Sequence, residues 1–217
     1  MKPWIRDATK EMLHRSLGGR FIWRLPGSPP NRYCLTFDDG PDPMHTPALL
    51  AKLERLGVRA TFFLVGNRVE QHPGLVREIL RRGHAVGTHT QTHCEIPRLD
   101  RASLARELDD ARRAVREATG TDTFLFRPPR GRVSLASIQR VVRLGYVLVH
   151  WTKTYSDYRP ESTDALLDRL RRQPVHSRDI VLLHDNNPHT LEALDSSVPE
   201  LRLRGLEPHP GPWAQPR

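Results

Sequence analysis

The stretch Thr36-Phe37-Asp38-Asp39-Gly40-Pro41 decides how the rest of this sequence is interpreted. It completes an apolar run that begins at Tyr33 and is rich in residues that favour strands, and Gly40-Pro41 ends that strand at once. Two adjacent carboxylates at a strand end repel each other unless a cation or a proton lies between them. An Asp-Asp-Gly surface turn is the alternative interpretation, so other segments must decide between a turn and a site.

Predicted strands and helices alternate along the chain from residue 33 onward. Apolar runs predict strands at 33–37, 59–65, 84–88, 123–127, 145–150 and 179–184. Helical spacing predicts helices at 46–56, 73–82, 101–118, 134–143, 162–172 and 190–203. Such alternation indicates an α/β fold with a parallel sheet and helices outside it, either a barrel or a doubly wound sheet. In both folds the reactive side chains gather at the carboxyl ends of the strands.

Residues 1–31 are predicted to be a separate N-terminal appendage, with the main domain at 32–217. Trp4, Ile5, Ala8, Met12 and Ser16 recur near helical spacing, with Leu13 and Leu17 alongside, and a Pro-rich link follows. We expect this amphipathic helix to pack on its own domain, and contact with a membrane surface is the alternative. The chain has no apolar run of 18 residues and no apolar signal segment at its start, which predicts a cytoplasmic protein, peripheral to a membrane if the helix makes that contact.

The charge of the chain is strongly positive. The 34 Lys and Arg residues exceed the 25 Asp and Glu residues, which gives a formal net charge of +9. The arginines are scattered and accompany no nucleic-acid-binding motif, so we predict solvated helix faces and no nucleic-acid partner. The two cysteines, Cys34 and Cys94, are too few for a disulfide framework.

Ionisable residues occupy four of the predicted strand ends. Asp38-Asp39 ends the first strand, His89 to His93 the third, Arg127 to Gly131 the fourth, and His184-Asp185 the sixth. A barrel brings strand ends together, so we expect these side chains to lie close to one another. This clustering favours a site over a surface turn.

His89 and His93 are four residues apart, so both side chains can bind one metal ion. Together with the acidic strand end they make a His-His-Asp set that leaves positions open for water and substrate, and it suits Zn²⁺ or another divalent transition ion such as Co²⁺.

Cys94 is the neighbour of His93, and we expect its side chain to point away. His184 follows an apolar strand and is expected at the rim of the pocket. Seven other histidines lack such a context and are predicted to be structural: His45, His72, His84, His150, His176, His189 and His209.

Four motifs in order carry a family resemblance: Thr-Phe-Asp-Asp-Gly-Pro, His-Thr-x-Thr-His, Arg-Pro-Pro-x-Gly and Leu-Leu-His. Over residues 32–205 the chain resembles the NodB-like polysaccharide deacetylases, carbohydrate esterase family 4. The resemblance implies a distorted (β/α) barrel at 32–217. It also implies a metal-dependent hydrolase that removes N-acetyl groups from an amino-sugar polysaccharide or oligosaccharide.

The same resemblance implies roles for individual residues. Asp38 corresponds to the general base, Arg127 to the residue that holds it, and His184 to the general acid. The implied metal ligands are Asp39, His89 and His93. Substrate contacts are expected at Arg130, Leu182, Tyr158 and Trp151, and Leu182 is expected to line the pocket for the acetyl methyl group.

Two departures from the family pattern affect these expectations. Arg130 stands where an aromatic residue is usual. The Asp-x-x-Asp-Trp motif is here Thr154 to Tyr158, and Thr154 replaces the aspartate that we expect beside His184. We therefore predict a weaker, neutral partner for His184, with Asp157 or Asp185 as substitutes.

Two alternatives to N-deacetylation remain open from the sequence. One is deformylation or O-deacetylation of a related or lipid-linked glycan, and the other is an inactive glycan-binding module. Retention of Asp38 beside a complete ligand set favours an enzyme, because binding alone needs no base.

Overall fold

A single sheet, wrapped by helices, carries the functional residues of this protein. The computed structural model describes residues 7–27, 30–159 and 162–213. The strands are β1 (Phe21–Ile22), β2 (Arg32–Asp38), β3 (Thr61–Leu64), β4 (Ala85–Thr88), β5 (Leu125–Phe126), β6 (Val147–Val149), β7 (Lys153–Thr154), β8 (Ile180–His184) and β9 (Glu207–Pro208). The helices are α1 (Asp7–Ser16), α2 (Thr46–Arg55), α3 (Gly66–Gln71), α4 (Pro73–Arg81), α5 (Arg101–Thr119), α6 (Leu135–Arg143), α7 (Thr163–Arg172) and α8 (Pro188–Leu203).

The sheet has the strand order β1-β6-β5-β4-β3-β2-β8-β7, and β9 adds to β2. Every strand pair is parallel. The sheet curls into a half-barrel with helices around it, which confirms the prediction of a distorted (β/α) barrel and excludes the doubly wound alternative.

The six predicted strands and six predicted helices all form, with ends within a few residues of those predicted. The sequence pattern missed β1, β7 and β9, because two residues are too few to show an alternation. It also missed α3, a six-residue helix that begins directly after β3 without a polar N-cap side chain. Helix α5 is capped at both ends: Asp100 accepts a hydrogen bond from the Ser103 N–H, and Gly120 ends the helix at φ 72°.

The register of the central strands places the reactive residues side by side. In the β2–β8 ladder Asp38 lies opposite His184, and in the β4–β5 ladder Thr88 lies opposite Phe126. His89 and Arg127 each directly follow those last two positions. Side chains from four strands therefore meet at one end of the curl.

Buried apolar side chains cover both faces of the sheet. Inside the curl, Phe63 packs with residues of β1, β2, β6 and β8, including the predicted strand cysteine Cys34. Outside it, the largest cluster joins β2 and β3 to α2, α4 and α8. These two layers hold the strand ends in a fixed arrangement.

The N-terminal segment packs on this sheet. Phe21 and Ile22 of β1 pair with β6, and Leu13 of α1 is buried in the same cluster as Phe21. Met12 is 63% exposed, whereas Leu13 is buried and Leu17 packs against the same cluster, so α1 turns the Leu13–Leu17 side of its predicted apolar pattern to the core. Trp4 and Ile5 lie outside the described residues, and the domain boundary after residue 31 stays a prediction.

Within the described ranges, no helix is both long and apolar enough to cross a membrane. Contact of α1 with a membrane surface stays a prediction.

Candidate active site

The carboxyl ends of β2, β4, β5 and β8 converge on one site, as the sequence predicted. Asp38 and Asp39 follow β2, His89 follows β4, Arg127 follows β5, and His184 ends β8. Asp38, His89 and Arg127 are almost fully buried, whereas Asp39 and His93 are half-buried and face the opening. The site therefore combines a buried charged layer with an accessible one.

Asp39, His89 and His93 form the one group of three or more potential metal ligands among the described residues, with ligand atoms within 4.8 Å of one another. Asp39 Oδ1 lies 3.1 Å from His93 Nε2 and 3.5 Å from His89 Nε2. Two ligands about 2.1 Å from one ion, at a tetrahedral angle, lie roughly 3.4 Å apart. The spacing and the donor set of two nitrogens and one oxygen fit a divalent transition ion.

The ring of His89 is held in the tautomer that a metal ligand needs. Its Nδ1 lies 2.7 Å from the Arg127 carbonyl oxygen, so Nδ1 carries the proton and donates it. The lone pair of Nε2 then faces Asp39. Burial lowers the pKa of His89 and outweighs the opposite effect of the Asp38 and Asp39 charges, which keeps the imidazole neutral.

Asp39 is held ready as a charged ligand. Burial alone would raise the pKa of its carboxyl, but the hydrogen bond from His93 and the positive charge of His184 lower that pKa below its usual range. The backbone around the ligand set is also strained, because Asp39, Thr90 and His93 have φ of 75°, 63° and 60°. Strain of this kind in non-glycine residues is concentrated at functional sites.

Asp38 has a different environment from its neighbour. Its Oδ1 accepts a hydrogen bond of 2.8 Å from Arg127 Nη1, and its Oδ2 lies 3.8 Å from His89 Nε2. Asp38 is not part of the ligand group. One oxygen is therefore fixed by a guanidinium, while the other is directed at the site.

Arg127 is fully buried and all three guanidinium nitrogens have partners. Beyond Asp38, Nη1 donates to Thr36 Oγ1, Nε donates to the Val149 carbonyl, and Nη2 donates to the His150 carbonyl. The guanidinium also lies 4.1 Å from the centre of the Phe63 ring. These contacts give Arg127, and through it Asp38, a single orientation.

Asp157 is the partner of His184, so the prediction of a neutral partner at the position of Thr154 is wrong. Asp157 Oδ1 lies 2.8 Å from His184 Nδ1, and Oδ2 accepts from the His184 N–H and from Thr190 Oγ1. Thr154 lies in β7, paired with Leu182. The chain turns sharply after β7, which carries Asp157 to the end of β8.

The electrostatics of His184 favour the imidazolium form. Burial alone would lower its pKa, but the hydrogen bond and charge of Asp157, with the charges of Asp38 and Asp39, raise the pKa to about 9. Asp185 was the other expected substitute. It is buried and accepts from Thr46 Oγ1, and its side chain is not hydrogen-bonded to His184.

The predicted substrate contacts lie around this centre. Tyr158 is 61% exposed, and its ring meets that of His184 edge-on at 5.7 Å. Leu182 is buried below the site, and Trp151 stacks on His150 at 4.1 Å. Arg130 is exposed and its Nη1 donates to Glu95 Oε1.

Cys94 is not part of the ligand group, as expected. The Cys94 N–H donates to Thr90 Oγ1, and burial raises the pKa of the Cys94 thiol. A thiol in that state is a poor ligand.

One wall of the opening was missed from the sequence. Helix α3 and the loop after His89 border a pocket of about 340 Å³ next to the ligand group, with polar side chains from Asn67, Arg68, Gln71 and Thr92. Asn67, Arg68 and Gln71 come directly after the carboxyl end of β3, and that position was the signal that could have identified them.

Comparisons with known proteins agree with this geometry. A family model described as polysaccharide deacetylase matches residues 27–149. A peptidoglycan-N-acetylglucosamine deacetylase of Bacillus cereus is 33% identical over 192 residues, which cover 86% of this chain and 89% of the relative. A solved family 4 carbohydrate esterase from Streptomyces lividans, in complex with acetate, has 33% identity and a TM-score of 0.75, and the match covers 81% of this chain and 90% of that one. A solved family 4 pseudoenzyme from Bacillus anthracis has 27% identity and a TM-score of 0.80, with 87% and 66% covered.

Proposed function

This chain belongs to the polysaccharide deacetylase family, and we propose that it removes N-acetyl groups from N-acetylglucosamine units of a peptidoglycan-type glycan. The prediction of a glycan N-deacetylase, a hydrolase of carbon–nitrogen bonds other than peptide bonds, is confirmed by the family relation. The choice of peptidoglycan N-acetylglucosamine as the substrate is suggested by the relative from Bacillus cereus. The observation that carries the proposal is Asp38, fixed by Arg127 next to the ligand group Asp39, His89 and His93.

A likeness of fold alone would not establish this activity, since the fold is shared with a pseudoenzyme. The residues at the strand ends distinguish an enzyme from an inactive relative. An inactive glycan-binding module has no use for a carboxylate oriented by a buried arginine, whereas hydrolysis of an amide requires a base.

Asp39, His89 and His93 would hold the metal ion, and Zn²⁺ fits their two imidazoles and one carboxylate best, with Co²⁺ as another suitable ion. When bound, the ion supplies Lewis acidity, which polarises a carbonyl group and makes water more acidic. The fixed tautomer of His89 and the charged form of Asp39 leave little to rearrange when the ion binds.

Asp38 acts as the general base in this proposal. Its Oδ2 faces the ligand group and can take a proton from the attacking water, while Arg127 holds the other oxygen. His184 lies across the β2–β8 ladder from Asp38 and acts as the general acid. Its raised pKa supplies the imidazolium that protonates the leaving amine.

The acetyl group and the sugar would be held by the residues around the centre. We propose that Leu182 lines the space for the acetyl methyl group and that Tyr158 and Trp151 contact the sugar ring. Arg130 is exposed at the rim and offers hydrogen bonds in place of a flat apolar wall. Deformylation or O-deacetylation of a related glycan is the alternative. Deformylation is distinguished by release of formate, and O-deacetylation, which also releases acetate, by the new hydroxyl in place of an amine on the sugar.

Removal of the metal should abolish acetate release. After dialysis against a chelator, we expect no acetate from N-acetylglucosamine oligomers, because the proposed reaction needs a Lewis acid and side chains do not supply one. Zn²⁺ or Co²⁺ should restore acetate release by binding to Asp39, His89 and His93. Acetate is measured enzymatically, and metal content by atomic emission. Full activity in metal-free protein would contradict the proposal, and release of formate from formylated sugars alone would favour the deformylase alternative.

Replacement of Asp157 by asparagine should move the alkaline limb of the pH–rate profile to lower pH. The Asp157 carboxylate raises the pKa of His184 to about 9 against the effect of burial, so its loss leaves burial dominant and lowers that pKa. His184 then loses its proton at lower pH. The measurement is kcat/KM from pH 6 to 10, with Thr154→Ser as a matched control at the neighbouring strand position.

The same pair predicts how stability depends on pH. The folded pKa of His184, about 9, lies above the ordinary value of 6.5. The stability from the pair is therefore complete below pH 6.5 and is lost as the pH rises through about 9. In Asp157→Asn this alkaline loss of stability should disappear from urea unfolding curves.

For the kinetic prediction, an unchanged alkaline limb of the pH–rate profile in a folded Asp157→Asn variant would mean that His184 is not the acid.

A further inference from the structure

The pocket beside the ligand group contains charge that the proposed chemistry does not use. Asp39 and His93 form one side of this pocket of about 340 Å³, and Arg68 of α3 lies among its other walls. A group bound there would lie next to the acetamide that is being hydrolysed. The pocket is therefore placed to recognise a substituent on or beside the reacting sugar.

Arg68 is half-buried in this wall. Among the residues that the structure describes, no ion pair and no side-chain hydrogen bond is found for its guanidinium. Two other wall residues are already engaged, since Asn67 Oδ1 accepts from Gln91 and Thr92 Oγ1 donates to Glu107. Arg68 thus offers five N–H donors and a full positive charge to the pocket.

Arg68 could instead serve only to offset nearby carboxylates. Its charge does lower the pKa of Asp185, although burial dominates there and raises that pKa to about 7. The contact is not an ion pair, because Asp185 Oδ2 accepts from Thr46 and no Arg68 nitrogen lies within 4.0 Å of a described carboxylate oxygen. A guanidinium that only balanced charge would gain more by pairing directly.

A second group of arginines surrounds Glu95, and it includes Arg130 from the loop after Arg127. Arg98, Arg130 and Arg132 all lie within 3.1–3.5 Å of the single carboxylate of Glu95. Three cations around one anion leave an excess of positive charge at the opening. This field attracts anionic glycans and raises their local concentration.

We propose that Arg68 binds a carboxylate on the sugar that carries the reacting acetamide, or on its neighbour, so that the enzyme prefers acidic N-acetylated glycans to neutral ones. The planar fork of an arginine matches a carboxylate with two parallel hydrogen bonds, which gives both affinity and direction. This inference rests on the proposed deacetylase function, whose substrate class it narrows.

The test compares two matched probes. One is an N-acetylglucosamine tetramer in which a single hydroxyl group beside an acetamide carries a carboxymethyl ether, and the other carries the carbamoylmethyl ether there, which has the same shape without the charge. For Zn²⁺-loaded protein we expect Arg68→Gln to lower the ratio of kcat/KM, charged over neutral probe, by roughly 10- to 100-fold. Arg68→Lys should give an intermediate ratio, because it keeps the charge and loses the fork.

The matched control is Arg59→Gln, which removes the same charge from an exposed position at the amino end of β3, opposite the site. It should leave the ratio unchanged. An unchanged ratio in Arg68→Gln, an equal loss with both probes, or an equal effect of Arg59→Gln would overturn the inference.

Calorimetric binding of both probes separates this inference from the proposed function. If wild-type protein released acetate from neither probe, the proposed deacetylase function would be contradicted. The inference would still require the charged probe to bind roughly 10- to 100-fold more weakly to Arg68→Gln than to wild type. Equal affinities would overturn it independently of turnover.

Discussion

Asp38→Asn should lower kcat by roughly 10²- to 10⁴-fold while the protein keeps its metal. Asparagine has nearly the same shape and still accepts a hydrogen bond from Arg127, but it cannot take a proton from water. Because Asp38 lies outside the ligand group, metal content should stay near that of wild type. Acetate release and metal content are measured on the same preparation.

Asp39→Asn is the matched comparison one residue along the chain. It replaces the charged oxygen that lies 3.1 Å from His93 and 3.5 Å from His89, so it should weaken metal binding directly. High Zn²⁺ should then restore part of the activity of Asp39→Asn and none of the activity of Asp38→Asn. If both variants lost metal to the same extent, the division between base and ligand would be wrong.

Arg127→Met should cost about 3–5 kcal/mol in the free energy of unfolding and leave almost no activity. The substitution fills a similar volume but leaves the buried Asp38 carboxylate without its cation, and two backbone carbonyls lose their donors. Urea unfolding gives the free energy. Arg113→Met is the control, since its ion pair to Asp110 is half-exposed and should contribute at most about 1 kcal/mol.

The double variant Asp38→Asn with Arg127→Met makes this prediction independent of simple loss of packing. Removing both charges leaves no uncompensated buried ion, so the double variant should be more stable than Arg127→Met alone. If the two substitutions only added their costs, the Asp38–Arg127 ion pair would not be the source of the destabilisation.

The sequence predicted the site well because its residues follow long apolar runs. Asp38 and His184 end strands that the hydrophobic pattern identifies and His89 directly follows one, and the parallel arrangement of those strands then brings the residues together. The spacing of His89 and His93 indicated the ligand pair. None of this required knowledge of side-chain packing.

The parts that the sequence did not predict depend on where a turn sends the chain. The sequence offered Asp157 and Asp185 as substitute partners of His184 without deciding between them. Asp157 is the partner because the segment after β7 crosses the end of β8, and no local pattern encodes that crossing. In the same way, α3 forms against the loop after His89 even though its six residues have weak helical signals. A Cβ at Gly66 would lie 1.9 Å from Gln91 Oε1 and 3.0 Å from the backbone Cα of Ala111, so glycine lets α3 pack closely against that side chain and against α5.

The β2–β8 ladder also has a consequence for the order in which the protein folds. Thr36 of β2 bonds the carbonyl of Val181, a residue 145 positions away along the chain. Contacts of such long range form late, because they close a large loop. The three proposed metal ligands all lie between residues 39 and 93, so we expect a ribosome-bound chain to display them well before His184 emerges. Capture of the ion can therefore precede competence for catalysis during synthesis.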